Sequence, residues 1–115
     1  MINIINLLKD DVVVYVNDNV EPAVFKAQGP IQTRMKTEDV TKNGIVKKGY
    51  WTHTRGLPSP TEDTLYIVSS LTAMFELLQN SRTDLLFPWG LIRNNQTQVM
   101  ACRALVRAET HPDQG

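Results

Sequence analysis

The stretch Thr64-Leu65-Tyr66-Ile67-Val68-Ser69-Ser70-Leu71-Thr72-Ala73-Met74-Phe75-Glu76-Leu77-Leu78-Gln79-Asn80 carries the reading of the fold, because the period of its apolar residues changes part-way along. Residues 64–68 have the β-branched and aromatic composition of a strand. Beyond them Leu71, Met74, Phe75 and Leu78 fall at i, i+3, i+4 and i+7, the stripe of one helix face. Ser69 or Ser70 is placed to cap that helix, its hydroxyl accepting an unpaired N–H of the first turn, and Asn80 is placed to end it. The pattern predicts one amphipathic helix over about 70–79.

Upstream, Arg55-Gly56-Leu57-Pro58-Ser59-Pro60-Thr61-Glu62-Asp63 interrupts regular hydrogen bonding with two prolines and a glycine, so a loop is expected. Before it, Asn43-Gly44 is the strongest hairpin signal in the chain, since a type I′ turn needs positive φ at both central positions. It would join strands over 34–42 and 45–54. Ile31, Thr33, Met35 and Thr37 alternate with Gln32, Arg34, Lys36 and Glu38, the period of a half-buried strand. Val12-Val13-Val14-Tyr15-Val16 reads as a strand that turns at Asn17-Asp18-Asn19 and returns over 23–26. It is apolar on both faces, and an edge strand of that kind would favour a homodimer.

Downstream the pattern is again β. Leu85-Leu86-Phe87 is expected to stop at Pro88, and Leu91-Ile92-Arg93 to turn through Asn94-Asn95 into a strand within 98–107. Met100, Cys102, Ala104 and Val106 then share an inner face, with Arg103 and Arg107 on the outer one. The expectation is an α+β domain over 1–108: a mainly antiparallel small sheet or partly open barrel of six or seven short strands, one face closed by the helix. A flexible tail is expected over 109–115.

Composition bounds the function classes. The chain has 115 residues, 12 basic and 12 acidic side chains, 42% hydrophobic residues and a single cysteine. That is one small core, burying roughly two-thirds of the unfolded chain's surface. One thiol permits neither an internal disulfide nor a cysteine-based zinc site, which fits a reducing compartment. No apolar run approaches a membrane span, and Met1-Ile2-Asn3-Ile4-Ile5-Asn6 lacks the basic start of a secretion signal. A cytoplasmic setting is expected.

Candidate chemistry is sparse. His53 and His111 have no metal-binding partner in sequence, Ser69 and Ser70 sit in no nucleophile elbow, and Cys102 is patterned inward. Glu62, Asp63 and Asp84 lack the spacing of a calcium loop. The sequence therefore implies no catalytic residue, metal or cofactor. A strand feeding a helix at Ser69-Ser70 aims unpaired N–H groups forward, which suits an anion or nucleotide, with Arg55 and His53 in support. No glycine-rich phosphate loop accompanies it. Residues 31–56 carry Arg34, Lys36, Lys42, Lys47, Lys48 and Arg55 against Glu38 and Asp39, a net +4, and residues 93–107 add Arg93, Arg103 and Arg107. Were those strands neighbours, weak single-stranded nucleic-acid binding would be favoured, although a pI near 6.7 weighs against it. Tyr50, Trp51, Phe87 and Trp89 sit at strand ends and loops, where aromatics anchor protein partners.

Ile4-Ile5-Asn6-Leu7, the loop Gly56-Leu57-Pro58-Ser59-Pro60 leading into Tyr66-Ile67-Val68-Ser69, and the segment from Leu91-Ile92-Arg93 to Val99–Leu105 together resemble a group of small, uncharacterised phage and prophage proteins. The departure is at Leu8-Lys9-Asp10, where that group carries Thr-Pro-His. The resemblance implies a bacterial cytosol and brings no catalytic residues. With it, the leading expectation is a non-enzymatic accessory protein that acts by binding a host or phage protein, with inhibition of that protein as one outcome.

Overall fold

The computed structural model describes residues 1–29, 31, 35–51, 54–92 and 99–110. His53, Arg34, Arg93, the Asn94-Asn95 turn, His111 and the tail from 111 on lie outside the described residues. Eight strands and one helix follow in order: β1 (Asn3–Asn6), β2 (Asp11–Val14), β3 (Ala23–Phe25), β4 (Met35–Asp39), β5 (Lys47–Trp51), β6 (Thr64–Ile67), α1 (Ser70–Asn80), β7 (Leu85–Ile92) and β8 (Val99–Arg107). No helix is long and apolar enough to cross a membrane among these residues.

Six strands form one sheet in the order β1-β6-β7-β8-β2-β3. The expected antiparallel majority is corrected: β1–β6, β6–β7 and β2–β8 are parallel, and only β2–β3 and β7–β8 are antiparallel. The reason is topological. β6, α1 and β7 form a strand–helix–strand unit, in which the helix carries the chain back so that the second strand runs alongside the first. β2 and β8 come from opposite ends of the chain. β2 therefore has a partner on each side, and the Val12-to-Val16 run is not the free edge that its composition implied.

The two outer strands almost meet. Asn6 bridges Ala27, the Gln28 N–H donates to the Asn6 carbonyl at 2.8 Å, and the Ile31 N–H donates to the Leu7 carbonyl at 3.2 Å. This seam rolls the sheet into a nearly closed barrel. The Asn6 side chain is buried there with its hydrogen-bonding groups occupied: Nδ2 donates to the Asp10 and Phe25 carbonyls and Oδ1 accepts the Leu8 N–H, each at 2.9 Å. Asp11 accepts the Ala27 N–H at 2.8 Å and pairs with Lys26 at 3.2 Å. The bond from Ala27 and then the one from Lys26 hold its carboxyl below the usual aspartate value. Gly29 lies so close to Leu7 that a Cβ would stand 2.1 Å from the Leu7 carbonyl oxygen, so only glycine fits without moving backbone.

Rolling the sheet creates two cores. Inside it lie Val12, Val14, Ile67, Leu86 and Cys102, with Phe25, Met100 and Leu105 packed against them. Cys102 is inert there, and burial pushes its thiol up. On the outer side, Leu7, Tyr66, Val68, Leu85 and Ala108 receive Ala73 and Leu77 of α1. Neighbouring residues divide between the cores, Tyr66 and Leu85 outward and Ile67 and Leu86 inward, as the two-residue period of a strand requires.

β7 does not stop at Pro88 but runs through it to Ile92, with Pro88 opposite Leu105. Pairing with β6 ends at Ile67 and Leu86, and the Val68 N–H donates to the Leu86 carbonyl across that ladder. Alternation points the amide nitrogen of Pro88 toward the same, now open, side. A missing donor there leaves no bond unmade.

β4 and β5 form a separate two-stranded arm that does not pack broadly on the barrel. The radius of gyration, 16.4 Å, exceeds the ~13 Å of a compact chain this long, in keeping with an arm that stands off. The expected half-buried strand is corrected here, since Lys36, Thr37, Glu38 and Asp39 are all exposed. The Asn43-Gly44 turn is likewise longer than a two-residue hairpin. Asp39 pairs with Lys47, and within the intervening loop only Gly44 has positive φ (71°), while the Asn43 Oδ1 accepts bonds from Thr41 Oγ1 and the Ile45 N–H.

Candidate protein-docking surface

Helix α1 is held firmly at both ends. Ser69 Oγ accepts the Thr72 N–H at 3.1 Å, as the sequence pattern predicts. At the other end Ser81 adopts left-handed dihedrals, its N–H donates to the Leu77 carbonyl at 3.1 Å, and the Arg82 N–H donates to the Glu76 carbonyl at 3.2 Å. That paired closure satisfies the last carbonyls of the helix. Arg82 then grips both carboxylate oxygens of Asp84 at 2.8 Å and the Pro58 carbonyl at 3.0 Å, which ties the proline-rich loop to the base of β7. Those bonds to Asp84 raise the guanidinium further above its usual value.

With Val68 in the core and Ser69 at the cap, the rotation of α1 about its axis is set by a two-residue link. It turns Thr72, Ala73, Glu76 and Leu77 inward. The apolar stripe picked out by the periodicity faces the other way: Leu71 is 50% exposed, Met74 45% and Leu78 71%. The inner face tolerates its polar members because they are bonded, Thr72 to Ser69 and the Glu76 carboxylate to the Asn80 amide. Ala73, fully buried and small, lets the helix approach the sheet closely. The helix does cover one face of the sheet, but with its less apolar side.

Two shallow grooves border α1, one along its length and one at its start. One, of about 400 Å³, lies between the helix and the arm and is lined by Tyr50, Leu71, Met74, Phe75, Leu78 and Gln79. The other, of about 510 Å³, is lined by Ser70, Phe87, Pro88, Trp89, Gly90 and Leu91. Trp89 is 63% exposed and Leu91 67%. The Trp89 ring stands edge-to-face on Phe87, with centroids 6.5 Å apart and planes at 75°. Among the described residues, no charged side chain lines either groove.

Of the aromatics singled out from sequence, Tyr50 lines the first groove and Phe87 and Trp89 the second. Trp51 pairs with Met35 in the arm, and its side chain lies outside the described residues. Residues 71, 74, 78 and 91 were missed as surface residues, because a periodic stripe signals a helix face without saying which way it turns. Elsewhere the groups do not converge. The Ser69 hydroxyl is committed to its cap, and exposed Arg55 makes no hydrogen bond or ion pair with Ser69 or Ser70 among the described residues. Asp84 is engaged by Arg82, and no cluster of three or more His, Cys, Asp or Glu fit for a metal occurs among the described residues. The basic residues of β4 and β5 belong to a different sheet from Arg103 and Arg107 on β8, so the two groups of bases do not share one sheet face.

Comparison with known protein families, with curated proteins and with solved structures finds no match to this chain.

Proposed function

We propose that the protein acts without catalysis, by binding another protein on the Phe87-Pro88-Trp89-Gly90-Leu91 ledge. The observation that carries this reading is Trp89, a large exposed ring held in place by Phe87. A tryptophan already ordered before contact loses little side-chain entropy on binding, and such residues supply most of the energy of protein interfaces. Leu91 and Pro88 extend the apolar contact, and the barrel beneath keeps the ledge rigid. The resemblance to small phage and prophage proteins supplies a setting, in which the partner is a host or phage protein and binding inhibits it.

The test is a quantitative pull-down from bacterial lysate, with and without phage infection, using wild type, Trp89→Ala and Leu91→Ser side by side. A stoichiometric partner held by wild type and weakened about 30-fold or more by Trp89→Ala is the expected result. A partner retained equally by both variants, or none recovered by wild type, would overturn the reading.

A further inference from the structure

The outer face of α1 points to a second occupant, distinct from the partner of the Trp89 ledge. We infer that the protein is a homodimer in which the Leu71, Met74, Phe75 and Leu78 stripe packs against the same stripe of a second copy. The two surfaces touch at Ser70 and Leu71 but share no lining residue.

The first argument is charge. In a two-fold interface each residue near the axis meets its own counterpart, so a charged residue there faces a like charge. Among the described residues the stripe and its groove contain none: Tyr50, Leu71, Met74, Phe75, Leu78 and Gln79 are all uncharged. The only ionisable side chain of α1, Glu76, is turned into the protein. The chain as a whole carries 12 positive and 12 negative side chains, so two copies do not repel one another at long range. An acidic or basic partner would find no complement on this face, whereas a second copy matches it.

Area is the second argument. Tyr50, Leu71, Met74 and Leu78 are 45–71% exposed, which at roughly 200 Å² for each large side chain leaves on the order of 400 Å² of mostly apolar surface. A standard interface takes roughly 800 Å² from each partner, and about 65% of it, near 500 Å², is apolar in homodimers. With the partly exposed Phe75, one stripe brings about that amount. The third argument is order. Ser69 at one end and Ser81 with Arg82 at the other hold the helix in place, so the stripe is presented without a folding cost on association. Packed antiparallel, Leu71 of one copy lies opposite Leu78 of the other, and Tyr50 on each arm closes the side of the groove.

The experiment is sedimentation equilibrium and light scattering on the full chain from about 1 to 100 µM, which reaches above the micromolar, weakest end of the affinities that interfaces of this size show. Leu78→Asp, Leu71→Asp and Trp89→Ala are run alongside, with circular dichroism confirming that each is folded. The expected result is a wild-type mass twice 13.0 kDa, a single-chain mass for both aspartate variants, and a dimer unchanged in Trp89→Ala. A wild-type mass of one chain at 100 µM would overturn the inference. So would a dimer that survives either aspartate substitution, or a different protein occupying the stripe in a complex that Leu78→Asp abolishes. Loss of ledge binding in Trp89→Ala with the dimer intact separates the two proposals.

Discussion

The barrel seam and the outer face of α1 invert the usual partition of residues in opposite senses. At the seam a polar side chain, Asn6, is buried at 1% exposure, while on the helix three large apolar side chains, Leu71, Met74 and Leu78, turn toward solvent. The first is stable because both of its carbonyl partners and its one donor partner are within 2.9 Å, so desolvation leaves nothing unpaired. The second is stable in the isolated chain only because folding does not depend on it: Leu77 and Ala73 anchor the helix from the other side. A buried polar group thus marks what closes this fold. An exposed apolar stripe marks what the fold leaves for something else.

The seam can be broken most severely at Gly29. Gly29→Ala forces a Cβ against the Leu7 carbonyl, and we expect a loss of about 3 kcal/mol or more, read as a large drop in the denaturant midpoint or failure to fold. A substitution that costs less than about 1 kcal/mol would show that the seam yields easily. Asn6→Leu comes next. It leaves the Asp10 and Phe25 carbonyls and the Leu8 N–H without their partner, at a cost of about 2–4 kcal/mol in urea unfolding.

The contrast within α1 is sharpened by a pair of neighbours. Leu77→Ala empties part of the outer core and is expected to cost about 2–4 kcal/mol, whereas Leu78→Ala is expected to change the unfolding of the single chain by less than about 0.5 kcal/mol. Equal effects at both positions would mean that the helix is rotated from the orientation described.

The smallest effect concerns Asp11. Its carboxyl titrates below the ordinary value of 3.8 in the folded chain, so the unfolded chain takes up the proton first as pH falls. The stabilisation is present above 3.8 and is lost as pH drops through the lowered folded value. Melting temperature measured from neutral to acidic pH should fall more steeply in wild type than in Asp11→Asn below that point. Parallel curves would remove Asp11 from the seam.

Much of the local structure was legible from residues alone. The strand at residues 64–67, the Ser69 cap, the helix span, the β2–β3 pair and the inward Cys102 all follow from period, cap chemistry and turn residues, which act over a few positions. The parallel β6–β7 ladder also had a signal, because strand, helix and strand in succession favour a parallel return. The β2–β8 ladder had none: Val13 pairs with Ala101 across nearly the whole chain, and no neighbouring residue encodes that choice.

The candidate surface divides in the same way. Uncharged aromatics at 87 and 89 and an apolar stripe at 71, 74, 75 and 78 are properties of the chain. Their exposure is a property of the fold. A helix of this composition has two faces able to meet a sheet, and periodicity favours the more apolar one. The choice was made by the Val68-Ser69 link, by the small Ala73 that permits close approach, and by bonding partners that let Thr72 and Glu76 lie inward. Local propensity acts within a turn or two of helix, whereas the direction a face points is set by everything else packed around it.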